Sequence, residues 1–71
     1  MAVATISVTI NGKPEDVPAD ATIARLLELR QLHTALVAVE HNGHILRRAD
    51  FAEVAIAPGD RLEIVHFVGG G

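Results

Sequence analysis

The sequence predicts an α+β fold, a mixed sheet crossed on one face by one main helix, and three observations carry that prediction. Two stretches alternate apolar and polar residues with the period of a half-buried strand, one near each end: Ile6, Val8 and Ile10, then Leu62 and Ile64. Between them Ile23, Leu26 and Leu27 recur with the spacing of a helix face. Asn11-Gly12, Asn42-Gly43 and Pro58-Gly59-Asp60 punctuate the chain where strands must reverse or start. The length, 71 residues, allows one small domain. Such a domain buries about 60% of the surface its unfolded chain exposes, a marginal but sufficient core. A hydrophobic share of 49% argues for a packed fold over disorder.

Composition excludes several functions. With no cysteine there is no disulfide, thiolate metal site or cysteine nucleophile. A net charge of −3 and basic residues that adjoin only at Arg47-Arg48 leave no footprint for nucleic acid, and 3% aromatic content offers little for base stacking. No apolar run approaches the ~18 residues of a membrane span and no signal-peptide pattern opens the chain, so the expected location is the cytoplasm.

In chain order, the first strand runs from Val3 to Ile10 and turns at Asn11-Gly12, where both residues accept the positive φ of a tight hairpin. A short second strand returns through Glu15-Asp16-Val17, and Pro14 and Pro18 confine it to an edge or to little length. Thr22 or Asp20 caps a helix from Ile23 to Arg30, which needs a sheet to dock on because it is only about two turns long. Leu36 to Glu40 reads as a third strand and Ile45-Leu46-Arg47 as a short fourth. Ala49 to Ala52 forms a helical turn that tucks Phe51 against the body. The last strand runs from Arg61 to Val68 and continues directly into Gly69-Gly70-Gly71.

That terminus is the main functional candidate. Glycine loses the most backbone entropy on ordering, so Gly69, Gly70 and Gly71 form a flexible tail after a domain spanning residues 1–68. Without Cβ atoms such a tail can enter a channel that other residues would block, carrying its carboxylate about 10 Å beyond the strand. The competing reading is a frayed end or linker remnant, although neither serine nor a tag accompanies the glycines. Alternation places Leu62, Ile64, His66 and Val68 on one face of the last strand and Arg61, Glu63, Val65 and Phe67 on the other. Val65 and Phe67 then stand as exposed apolar residues beside the tail, a docking patch with His66 and Val68, unless a bulge returns Phe67 to the core.

A hairpin, one crossing helix and a last strand brought back to the middle follow the ubiquitin-like β-grasp plan. Asn11-Gly12, Val37-Ala38-Val39-Glu40 with Asn42-Gly43, and Gly59-Asp60-Arg61-Leu62-Glu63-Ile64-Val65 with the final glycines resemble the sulfur carrier of thiamine biosynthesis, the ThiS family. The resemblance spans essentially the whole chain and is most specific from Gly59 to Gly71; only Gly70 and Gly71 match the strict family ending. It implies that Gly71 is the sulfur attachment point and that no maturation cleavage is needed. An E1-like adenylating enzyme of the ThiF type would use ATP and magnesium to make the acyl-adenylate. A persulfide donor such as a cysteine desulfurase relay would supply sulfur. Thiazole synthase of the ThiG type would consume the thiocarboxylate. The chain itself would then hold no cofactor or metal and no catalytic residue, acting as a co-substrate.

Other readings stay open beside that one. The small subunit of molybdopterin synthase and carriers for amino-acid synthesis use the same terminal chemistry, and Val65-His66-Phe67-Val68 favours the thiamine branch. A non-covalent ubiquitin-fold interaction module with an inert tail belongs to a different class. His41 and His44 have a metal-like separation but straddle a turn and read as turn-face histidines, while Glu15-Asp16 reads as a solvated pair.

Overall fold

A computed structural model describes residues 4–67. The first strand, β1 (Thr5–Ile10), and the second, β2 (Lys13–Pro18), form a hairpin joined by Asn11 and Gly12 at φ 51° and 82°. The helix α1 (Ile23–Leu29) follows, then β3 (Val37–His41), β4 (His44–Ile45) and β5 (Arg61–His66). The sheet has five strands in the order β2-β1-β5-β3-β4, so the last strand lies in the middle. It runs parallel to β1 and antiparallel to β3, which makes the sheet mixed as predicted.

β2 is a full-length strand rather than a short one, and its prolines explain how an edge position permits that. Pro14 stands opposite Thr9 and Pro18 opposite Thr5. Thr9 turns its N–H the other way, to Asp60 O of the segment leading into β5, at 2.9 Å. The Pro14–Thr9 pair is therefore a non-hydrogen-bonded one, and the missing proline N–H leaves no ladder bond unmade.

Thr22, not Asp20, caps α1: its hydroxyl accepts the Arg25 N–H at 3.1 Å. The free N–H groups of the first turn find partners elsewhere in the chain. Ile23 donates to Val54 O at 3.0 Å and Ala24 to Phe51 O at 2.8 Å. A 3₁₀ turn, Arg48–Asp50, and the residues after it are thus stitched to the helix start, and Phe51 is buried beneath them. The helix ends one residue earlier than predicted, at Leu29. Gln31 takes φ 59° and donates to Glu28 O, while Leu32 donates to Leu27 O, a Schellman end formed without glycine.

Ile23, Leu26 and Leu27 of α1 share one core with Val8, Ile10, Val17, Val37, Val39, Phe51, Leu62 and Ile64. Arg30, at the rim of the same helix face, pairs with Glu15 of β2. Besides β2, four strands differ in their bounds from those read in the sequence, the first because β1 begins at Thr5 and Ala4 lies outside it. β3 starts one residue later because Leu36 belongs to a 3₁₀ turn, Thr34–Leu36, whose Thr34 and Ala35 carbonyls accept from the Arg48 guanidinium. β4 comprises His44 and Ile45 and pairs with Glu40 and His41, so Leu46 and Arg47 are outside it. β5 ends at His66, and the expectations for Val68 and for the tail Gly69, Gly70 and Gly71 lie outside the described residues.

Candidate functional site: the end of the central strand

β5 is held on the β1 side as far as Ile64 and on the β3 side through its whole length. On the β1 side, Asn11 donates its backbone N–H to Leu62 O at 2.9 Å. Its side-chain amide then takes over where β1 turns away, donating to Ile64 O at 3.1 Å and accepting the Ile64 N–H at 2.7 Å. One carboxamide thus imitates a further peptide unit of β1. On the β3 side, Val37 faces His66 and Ala38 faces Val65, and Phe67 donates its N–H to Leu36 O at 2.7 Å. The backbone is therefore anchored through Phe67, immediately before Val68 and the glycines.

The side chains at this end point two ways. Leu62 and Ile64 are buried, whereas Val65 and Phe67 are 54% and 51% exposed. Phe67 is not turned back into the core. His66 also stands exposed although it falls on the Leu62–Ile64 side of the alternation, being the last residue of the strand. The register adds apolar neighbours that the sequence reading did not include: Ala38 directly opposite Val65, Leu36 bonded to Phe67, and Ile45 at the edge, 81% exposed. Alternation within each strand was legible, but membership of a shared face requires the register, which no local pattern encodes.

At the opposite end of β5, Asp60 forms a polar hub that the sequence reading also missed. Its carboxylate lies 2.7 Å from His41 Nε2, accepts the Asn42 amide at 3.1 Å and accepts the Ala57 N–H at 2.8 Å. Asn42 in turn accepts the Arg61 N–H at 2.8 Å. His41 is therefore half-buried against Asp60, while His44, its partner across the turn in β4, is exposed, so both histidines lie in strands rather than on the turn; among the described residues they do not converge with a third metal-ligating side chain. Burial pushes the Asp60 carboxyl up, but the hydrogen bonds from Ala57, His41 and Asn42 outweigh it and hold it below its ordinary 3.8. A carboxyl with a lowered folded value contributes stability that is complete above its unfolded value and is lost as pH falls through the folded one. Asp60→Ala should cost about 1.5–3 kcal/mol at neutral pH, read by urea unfolding. The wild-type advantage over that variant should shrink below about pH 4; an advantage independent of pH would show that the charge has no part in it.

The sheet order, the single crossing helix and the anchored central strand define a ubiquitin-like protein of the β-grasp type. Ubiquitin of Caldiarchaeum subterraneum superposes with a TM-score of 0.55 at 18% identity, covering 99% of this chain and 100% of that one, a likeness of fold. The thiamine biosynthesis protein ThiS of Geobacter metallireducens superposes at 0.79 with 33% identity, covering 93% of this chain and 100% of that one. The ThiS family profile matches residues 8–71. The sulfur carrier protein ThiS of Bacillus subtilis is 43% identical over 63 residues, 87% of this chain and 96% of that protein. The chain belongs to the ThiS family. It is also 39% identical over 66 residues to a thiazole synthase of Paramagnetospirillum magneticum, covering 93% of this chain. It spans about a fifth of that relative's length, 20%.

Proposed function

We propose that this chain is the sulfur carrier of thiamine biosynthesis and that the Gly71 carboxylate is the group that carries sulfur. The observation that supports it most is that the family match runs through residues 69–71, beyond a strand held on the β1 side as far as Ile64 and on the β3 side as far as Phe67. A free α-carboxylate is ionised at neutral pH and resists nucleophiles, so a leaving group has to be installed first. An adenylating enzyme with ATP and magnesium supplies it: a Gly71 oxygen attacks the α-phosphorus, pyrophosphate leaves, and an acyl-adenylate forms. The outer sulfur of a persulfide donor then attacks the acyl carbon and displaces AMP, forming an acyl disulfide. A second thiol on the donor or its enzyme attacks the donor's sulfur and breaks the S–S bond, releasing the thiocarboxylate and leaving a disulfide. Since the chain has no cysteine, the transferable sulfur has nowhere else to be held. The protein is a co-substrate in this scheme, working in the cytoplasm, and the catalytic groups belong to its partners.

The thiazole synthase likeness favours the thiazole branch over molybdopterin synthesis, because a segment like this chain occurs within a protein of that name. Val65, His66, Phe67 and Val68 dock the partner, and Gly69 and Gly70 enter its active site. Intact mass after incubation with ATP, magnesium, the adenylating enzyme, a persulfide donor and a thiol reductant tests the reading. The expected product has one oxygen replaced by sulfur, located by fragmentation at Gly71; an unmodified mass would overturn the reading. Gly70→Val should abolish the modification without lowering Tm, since a side chain there blocks the channel and not the fold. A large loss of Tm would show that the tail packs on the body.

Among the described residues no helix is long and apolar enough to cross a membrane.

A further inference from the structure

The carrier reading leaves one part of the open sheet face without a task. Glu63 of β5 stands directly opposite Glu40 of β3, and Glu40 directly opposite Ile45 of β4. Like charges placed directly opposite on a sheet face destabilise it. Neither glutamate takes part in the ion pairs found among the described residues, which are Arg25–Glu28, Arg30–Glu15, His41–Asp60 and Arg47–Asp50. Arg61, the preceding residue on the same face of β5, lies diagonal to Glu40 and takes no part in those pairs either. The two carboxylates border a shallow hollow of about 120 Å³, whose remaining lining is Ala38, Val39, Ile45 and Val65. The hollow is thus apolar along Ile45, Ala38 and Val65 and acidic along one side.

We propose that this hollow seats an arginine side chain of the protein that docks on β5, its guanidinium bridging Glu40 and Glu63. The inference rests on the carrier reading, because it takes the adenylating enzyme as that protein. Three features favour this occupant. An arginine has an apolar stem and a charged head, matching a hollow whose wall is apolar and whose rim is acidic. Its planar fork presents donors to two carboxylates at once, where a lysine ammonium is a single point charge. The hollow also shares Val65 with the exposed patch that continues to Phe67, so a protein engaging the tail from that side covers both. An arriving cation further relieves the Glu40–Glu63 repulsion, so the pair weakens the free fold slightly and strengthens the complex.

The test measures binding of the intact adenylating enzyme, without ATP and with a chelator present, to wild type and to the double variant Glu40→Gln/Glu63→Gln. We expect the double variant to bind at least about tenfold more weakly, with a shallower dependence on salt. Its Tm should equal or exceed that of wild type, since a repulsion has been removed. Wild-type affinity in the double variant would overturn the inference while Gly71 modification still proceeded and the carrier reading stood. A fall in Tm would mean that the glutamates serve the fold, and loss of wild-type binding on chelation would mean that a metal ion bridges them; either overturns the arginine seat. A wild-type protein neither bound nor modified by the enzyme would end both readings together.

Discussion

Removing Gly71, or adding one alanine after it, is expected to abolish adenylation and to leave the folded domain unchanged. Each change displaces the terminal carboxylate by about 3.5 Å along an extended chain. Displacement of that size is ruinous for in-line attack on a bound nucleotide, where a misplacement of ~1 Å can already cost a hundredfold. Pyrophosphate exchange catalysed by the adenylating enzyme is the readout, with Tm of each variant as the control for folding. Exchange at the wild-type rate in either variant would show that Gly71 is not the reacting residue. The expected contrast is large because the proposed chemistry uses the terminal carboxylate alone, while the docking contacts on the folded domain stay the same.

The two phenylalanines are expected to separate stability from recognition. Phe51 is 3% exposed and lies in the core beneath the start of α1, so Phe51→Ala should cost ~3–5 kcal/mol. That is most of the ~5 kcal/mol expected of so small a domain, and the variant should be largely unfolded or at the edge of unfolding. Phe67 is 51% exposed at the end of β5, so Phe67→Ala should change folding by less than ~1 kcal/mol. Its backbone bond to Leu36 O survives the substitution. Binding to the adenylating enzyme should instead weaken by ~1.5–3 kcal/mol as an apolar contact is lost, about tenfold to a hundredfold in Kd. Urea unfolding and affinity measured on the same protein decide it. A Phe67→Ala variant that loses stability but binds normally would remove Phe67 from the docking surface.

Local chemistry carried much of this protein by itself. Asn11-Gly12 and Asn42-Gly43 specify their turns because the positive φ they adopt is tolerated by few other residues. Ile23, Leu26 and Leu27 define the helix face, and Leu62 and Ile64 the inward face of the last strand, since periodicity reflects which side meets the core. Exposure of Val65 and Phe67 followed from the same alternation. The terminal glycines stood out as a candidate for the reacting end because an apolar strand runs directly into them and the resemblance to the ThiS family covers them.

Tertiary structure decided what depends on partners distant in the chain. Nothing local in Asn11 announces that its amide will bind the Ile64 backbone, 53 residues away. His41 and His44 look equivalent in sequence, yet the fold brings His41 against Asp60 and leaves His44 exposed on the edge strand β4. Gln31 ends the helix with a positive φ because the Leu27 and Glu28 carbonyls need donors there, and hydrogen bonding outweighs a modest backbone preference. Register is likewise a property of strand pairs, so only the assembled sheet places Glu40 against Glu63 and Ala38 against Val65. The period of a single strand says which residues share its face, and the neighbouring strand determines what stands beside them.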